Sequence, residues 1–305
     1  MNISDILLGA AIIIAAPAVN RVGEAKAQQI HPDQLVVDSP FVHDPVLAYE
    51  NGKYYLYSTG HGISQMTSAD RKHWTLCREG VLKNHEIPAW THDSVPGFHT
   101  HIWAPDVIRY RNKWYLAYSC STFGKNTSAI GLLSNTSLAN MNGWKDEGCI
   151  LASEGKRDNW NAIDPNFVID DKGNPWMTWG SFWDGIQLVK LDKKTMHVKK
   201  GAKSLTIARR HAFGDASAEP NPTSKFAGTN AIEAPFIMKH GGYYYLFVSW
   251  DYCCRGIKSN YRVAVGRSKN VAGPYLDKNG KDMRNGGGTL ILEGDKKKFE
   301  AMGHC

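Results

Sequence analysis

Three acidic side chains recur at matching places along the chain, each in a short motif with a proline: Asp44 in His43-Asp44-Pro45, Asp164 in Ile163-Asp164-Pro165 and Glu233 in Ile232-Glu233-Ala234-Pro235. A lone Asp-Pro is ordinarily a turn former, because both residue types suit turns. Acids in phase with one repeat, each leading into an apolar strand, point instead to a shared site. Clustered carboxyl groups of this kind suit the cleavage of a glycosidic bond. One carboxylic acid protonates the leaving oxygen, and a carboxylate activates water or attacks carbon. A third acid raises its neighbour's pKa by like-charge repulsion and keeps the donor protonated near neutral pH. A further motif of the same shape, Trp103-Ala104-Pro105-Asp106, places an aromatic ring where Glu233 stands in its own unit, a platform for a sugar face. Asp106 is out of register with the other acids and is expected to be structural.

Side chains some 60 residues apart meet only if a repeated element carries them to one place, and the sequence supplies such an element. Four aromatic-rich segments, opening at Gly52, Asn112, Gly173 and Gly241, begin 60, 61 and 68 residues apart. Each follows an acid or Trp motif by about ten residues, so motif and aromatic segment read as the two strands of a hairpin. Further strands are expected at 129–133 and 149–151, or at 262–268 followed by Pro274-Tyr275. About four antiparallel strands recurring at a fixed period are the signature of a β-propeller blade. Four such units are complete. A fifth begins and stops, because residues 286–292 close the fourth and His304 falls where the next acid motif is due. A ring lacking one blade leaves apolar sheet faces uncovered, so the chain is expected to be less stable than a form with that blade completed.

Composition agrees with a packed all-β protein. Of the 305 residues 42% are hydrophobic and 21% charged, which excludes a disordered or coiled-coil chain. The net charge of +7 comes from short, separated lysine runs with no nucleic-acid motif beside them, so no nucleic-acid partner is expected. Residues 7–19 form an apolar stretch of signal-peptide length, too short to span a membrane, and Ala25-Lys26-Ala27 supplies a cleavage pattern. Residues 1–27 are therefore expected to be a signal peptide and 28–305 the propeller domain, secreted or periplasmic. No Lys or Arg precedes the apolar run, and Asp5 stands there instead.

The ordered set His43-Asp44-Pro45, Trp103-Ala104-Pro105-Asp106-Val107, Ser121-Thr122-Phe123-Gly124, Asn161-Ala162-Ile163-Asp164-Pro165-Asn166, Gly180-Ser181-Phe182-Trp183, Ile232-Glu233-Ala234-Pro235, Cys253-Cys254-Arg255-Gly256 and Gly266-Arg267-Ser268 resembles the arabinan endo-1,5-α-L-arabinosidases of glycoside hydrolase family 43. The likeness runs from about residue 41 to the end of the chain. It implies an all-β, five-bladed β-propeller, here with its fifth blade truncated at the C-terminus, that hydrolyses α-1,5-arabinan, the pectin side-chain polysaccharide, with inversion. It further implies Asp44 as general base, Glu233 as general acid and Asp164 as the acid that tunes and holds Glu233. Trp103, Phe123, Gly124, Asn161, Ala162, Ile163, Ser181, Phe182 and Trp183 would then contact sugar. His304, in the sequence Met302-Gly303-His304, would hold a hydrated calcium ion, with water supplying most of the shell because one imidazole is a poor calcium ligand set.

His92, His99 and His101 read as loop residues near the sugar groove rather than as a metal cluster. Cys253 and Cys254 are adjacent, and a bridge between them is not expected on geometric grounds; they would shape a loop beside the groove. Asn126 and Asn135 begin Asn-Thr-Ser sequons. Neither a G-x-S-x-G elbow, an H-E-x-x-H helix nor a P-loop is present, so esterase, metalloprotease and nucleotide-dependent chemistry lack a motif. Two alternatives to a monomeric endo-hydrolase stand beside it: an exo-acting arabinofuranosidase or xylosidase of the same family, and a glycan-binding propeller without catalysis.

Overall fold

The structure, a computed structural model, describes residues 35–83, 86–211, 230–299 and 301–304. The expected signal segment lies outside the described residues. Among those described, no helix is long and apolar enough to cross a membrane.

Four antiparallel sheets follow one another along the chain. The first runs outward from Val46–Glu50 through Lys53–Ser58, Ser64–Ser68 and Trp74–Cys77, with Val36–Val37 added at the outer edge. The second comprises His101–Tyr110, Lys113–Cys120, Ser128–Asn135 and Lys145–Ser153, with the short Gly60–His61 strand paired to the start of His101–Tyr110. The third comprises Asn166–Ile169, Pro175–Trp179, Ile186–Lys190 and Leu205–Ala208. The fourth comprises Ile232–His240, Tyr243–Trp250, Arg262–Ser268 and Thr289–Glu293. These are the four propeller blades laid out by the repeats. One placement differs: the outer strand of the fourth blade is Thr289–Glu293, while Tyr275 leaves the sheet to pack in the core and its hydroxyl donates to the Val271 carbonyl at 2.7 Å.

The second strands Lys53–Ser58, Lys113–Cys120 and Pro175–Trp179 are buried on both faces along most of their length, which is why their aromatic runs do not alternate strictly with polar residues. Tyr57, Leu116 and Leu133 pack between the first and second blades, Ile130, Leu132 and Met177 between the second and third, and Val168, Ile186 and Leu246 between the third and fourth. The outward faces of the two end blades are different. Leu47 and Tyr49 on the first and Met238 and Ile291 on the fourth are exposed. Five blades were expected. The described residues form four, and beyond Glu293 they make bends and a return path rather than another sheet.

A polar belt ties the innermost strands together below the acids. Asp106, buried, accepts from the backbone of Phe167 at 2.6 Å and from Asn166 Nδ2 at 3.3 Å. Asn166 Oδ1 in turn accepts from the Ile237 backbone at 2.8 Å. Blades two, three and four are thus linked through Asp106, whose carboxyl is pushed up to about 7 by burial, against the pull of those donors. Asp106→Ala leaves buried donors unsatisfied and is expected to lower stability by about 1–3 kcal/mol. Urea denaturation reads this as a lower midpoint, and an unchanged midpoint contradicts it. Both sequon asparagines are also buried and engaged, Asn126 Nδ2 with the Asp158 and Trp160 carbonyls and Asn135 Nδ2 with that of Asn140, so neither is open to glycosylation in the folded chain.

Candidate active site

Each innermost strand starts in the same way, with a left-handed residue directly before a proline: Asp44 at φ 50°, Ala104 at 39°, Asp164 at 57° and Ala234 at 52°. Non-glycine residues rarely adopt this conformation, and it costs about 1–3 kcal/mol where it persists. In blades two and four the Ala-Pro pair sits in a bulge, so Trp103 pairs with Ser119 and Glu233 with Ser249 in equivalent registers. The sequence expectation that Trp103 occupies the place of Glu233 therefore holds.

These strand starts surround one cavity of about 630 Å³. Asp44, Asp164 and Glu233 all line it, each from a different blade, and His304 joins them. Neighbouring blades hold the acids in place. Thr59 Oγ1 donates to Asp44 Oδ2 at 2.6 Å and accepts from the Ala104 backbone at 2.8 Å. The Asp164 backbone donates to Ser119 Oγ at 3.0 Å, and its carboxylate Oδ2 accepts from the Ala234 backbone at 3.1 Å. Glu233 accepts at both oxygens, from Ser181 Oγ at 2.7 Å and from Tyr261 Oη at 2.8 Å.

The acids lie in different electrostatic surroundings. Burial alone would raise Asp44, but the hydrogen bond and charge of His304, followed by His43 and Thr59, bring its carboxyl down to about 2. Glu233 goes the other way: burial raises it and the Asp44 charge adds to the rise, against the Ser181 and Tyr261 hydrogen bonds and the His304 charge. Asp164 is raised as well, first by burial and then by the Glu233 and Asp44 charges, with His304 opposing. One group poised as a base and another poised as a proton donor are what acid/base cleavage needs.

His304 reaches the cavity because residues 301–304 run back along Tyr261. The Met302 backbone donates to the Tyr261 carbonyl at 2.8 Å, and a Cβ at Gly303 would collide with the Tyr261 ring. Its Nδ1 is 3.1 Å from Asp44 Oδ1, and although burial lowers the imidazole pKa, that hydrogen bond and the surrounding carboxylates raise it to about 9. His304 is thus itself the cation beside Asp44. Among the described residues no three His, Cys, Asp or Glu side chains are grouped to hold a metal ion. A calcium ion at His304 would have to draw most of its shell from water, and no step below passes through one.

Most of the expected sugar contacts line the cavity: Trp103, Phe123, Gly124, Asn161, Ile163, Ser181, Phe182 and Trp183. Phe123 is 79% exposed, an aromatic ring left open at the rim, and Asn161 Oδ1 is buried without a hydrogen-bond partner among the described residues. Phe182 and Trp183 are consecutive left-handed residues, at φ 54° and 40°, tethered to blade four by the Phe182 backbone donating to the Ile232 carbonyl at 2.8 Å. Two expectations change. Ala162 is fully buried in the core between blades two and three, with its backbone donating to Ser153 Oγ, so its side chain does not line the cavity. Ser181 spends its hydroxyl on Glu233 and orients the acid.

Thr59, Tyr261, His43, Tyr252 and Arg255 were not singled out by the sequence, yet all line the cavity. A signal existed for Thr59, since a hydroxyl closes the second strand at Thr59, Ser119 and Ser249. Tyr261 belongs to no repeat. His101 reaches the cavity, in edge-to-face contact with His61 at 5.2 Å between centroids, and the Cys253–Cys254 pair is joined as a disulfide in the cavity wall, contrary to the sequence expectation. The adjacent pair closes because Cys254 takes a left-handed φ of 62°, which turns the chain back on itself.

Comparison with known proteins gives a consistent result. The family described as Glycosyl hydrolases family 43 matches residues 34–304. The chain is 43% identical over 268 residues to the extracellular exo-α-(1→5)-L-arabinofuranosidase ArbA of Cellvibrio japonicus, covering 86% of this chain and 74% of that protein. It is 43% identical over 258 residues to the extracellular endo-α-(1→5)-L-arabinanase 1 of Bacillus subtilis, covering 83% and 73%. The solved exo-1,5-α-L-arabinanase from a bovine ruminal metagenomic library superimposes with a TM-score of 0.74 at 53% identity, covering 84% and 80%.

Proposed function

The chain belongs to the glycosyl hydrolases of family 43 and acts on arabinan, and from that premise we propose that it cuts internal α-1,5-L-arabinofuranosidic bonds with inversion. Asp44 is the general base, Glu233 the general acid, and Asp164 the acid that tunes Glu233 and holds its strand in place through the Ala234 backbone. The observation that carries this reading is the meeting of these carboxyl groups, from three blades, at one cavity with opposed pKa shifts.

Glu233, neutral, delivers its proton to the glycosidic oxygen as the bond to the anomeric carbon breaks. Asp44, ionised, takes a proton from the water that attacks the opposite face of the ring. Tyr261 and Ser181 fix the Glu233 carboxyl, and Thr59 fixes that of Asp44, so neither has to be ordered when substrate arrives. Trp103, Phe123 and Phe182 offer flat faces to furanose rings, and Asn161 Oδ1 accepts from a sugar hydroxyl.

The propeller is read as five-bladed, the exposed faces of the first and fourth blades being where a fifth would sit. We read the protein as a monomer that works outside the cell; the Cellvibrio and Bacillus relatives are named extracellular. Endo action follows the Bacillus relative and the motif set of the sequence, while the Cellvibrio and ruminal relatives favour release of short products from chain ends. A time course on debranched arabinan separates the two. Medium-length oligosaccharides are expected first, and arabinose or one short product from the outset overturns the endo reading. Proton NMR of the fresh product is expected to show the β-anomer, and an initial α-anomer rules out inversion.

A further inference from the structure

One stretch of the cavity wall plays no part in the chemistry above. The segment after Trp250 rises above Glu233, since Ser249 is the strand partner of that acid. Its base is firmly held. The Asn260 backbone donates to the Tyr252 carbonyl at 3.0 Å, the Tyr252 backbone donates to Asn260 Oδ1 at 3.1 Å, and the Asp251 carboxylate pairs with Arg210 and Arg262. Its tip is exposed from Cys254 through Lys258, with Ile257 78% exposed. Between base and tip sits the Cys253–Cys254 disulfide, lining the cavity beside Tyr252 and Arg255. The Arg255 guanidinium lies 3.7 Å over the Tyr252 ring, which in turn packs at 5.7 Å against Phe182.

We propose that the Cys253–Cys254 disulfide is a redox-governed sugar-binding element: oxidised, it presents with Tyr252 a rigid apolar face to an arabinose unit next to the one being cut, and reduced, it releases that unit. The inference rests on the arabinan reading of the cavity. A ring closed through two neighbouring residues leaves the turn few alternatives, so Tyr252 and Arg255 are ordered before substrate binds and no ordering entropy is lost on association. Opening the ring returns that freedom to a tip otherwise held by its base, by the Arg255 backbone donating to Ser259 Oγ at 3.0 Å and by the Arg255–Tyr252 stack. The disulfide is also positioned for selective chemistry. Of the three other described cysteines, half-buried Cys77 faces the Gly80 carbonyl, Cys120 is buried with its thiol pushed far up by burial, and burial pushes that of Cys149 up to about 11, so the last two supply no thiolate for exchange at neutral pH. Reduction needs an external dithiol. Its two sulfurs close into a cyclic disulfide as the Cys253–Cys254 bond breaks, and two electrons and two protons pass to the pair as two thiols.

The test uses the full chain carrying Glu233→Gln, so that a linear arabinohexaose is bound and not consumed. Calorimetric titration is run before and after dithiothreitol, with the newly exposed thiols counted. Reduction is expected to add two thiols and weaken arabinohexaose binding roughly tenfold, and reoxidation to restore it. A Cys253→Ser, Cys254→Ser variant in the same background is expected to bind weakly with or without dithiothreitol. Unchanged affinity in a chain whose two new thiols have been counted overturns the proposal alone. Absence of binding in both redox forms counts against the arabinan reading and removes this proposal with it.

Discussion

Glu233→Gln is expected to lower kcat on linear arabinan by about a thousandfold, within the range for loss of a general acid, while arabino-oligosaccharides still bind. The amide keeps the size of the carboxyl, and its oxygen can accept from one of Ser181 and Tyr261 while its NH2 donates to the hydroxyl oxygen of the other, so the fold and the cavity persist. What it cannot do is donate the proton to the leaving oxygen. The loss should therefore depend on the leaving group: an aryl arabinofuranoside whose phenolate departs without a proton is expected to keep most of its rate in the variant. The pH profile gives a second reading. Glu233 must be protonated to act, and burial raises its pKa, so kcat/KM falls as pH rises through that raised value. This alkaline limb should disappear in Glu233→Gln. An alkaline limb unchanged in the variant, or equal losses on arabinan and on the activated aryl substrate, would assign the proton donor elsewhere.

Asp44→Asn is expected to cost a similar factor of about 10³–10⁴, but without regard to the leaving group, because the attacking water then has no base whichever bond breaks. In the wild-type chain the His304 and His43 charges and the Thr59 hydrogen bond overcome burial and hold Asp44 near 2. A depressed pKa places the loss on the acid side. Activity supported by ionised Asp44 is present above that value and fades only as pH falls through it, so across ordinary working pH the acid limb is flat. Kinetics from pH 3 to pH 8 on the activated aryl substrate check this. Retention of rate on that substrate in Asp44→Asn would remove Asp44 from the base role and leave it as an ion-pair partner of His304.

Much of this arrangement was readable before any coordinates. The spacing of the aromatic strands located all four blades, because a strand buried on both faces needs an unbroken apolar run and a turn at each end, and both are local properties of the chain. The acid-proline motifs located Asp44, Asp164 and Glu233, and the equivalence of Trp103 with Glu233 survived down to the register. Ser181, Tyr261 and Thr59 were another matter. A hydroxyl in a glycine-rich loop looks the same in sequence whether it meets a sugar or a carboxylate, and only the packing of blade three against blade four turned Ser181 towards Glu233. Ala162 shows the converse error: it sits among site residues in the chain, but its side chain points to the opposite side and fills the core.

The sequence by itself determined the sheet-forming units, the acids that open them and the family to which they belong, since each is written in contiguous residues. Tertiary structure alone decided which way each acid is shifted. Asp44 and Asp164 occur in nearly identical Asp-Pro motifs, yet one is lowered and the other raised, because His304, more than 250 positions from Asp44, folds back to pair with it and leaves Asp164 buried beside Glu233. The disulfide at Cys253–Cys254 was decided at the same level, by a single left-handed residue that spacing does not reveal. Charge and burial act through space, so groups distant in the chain set them, and a motif read along the chain carries no record of those neighbours.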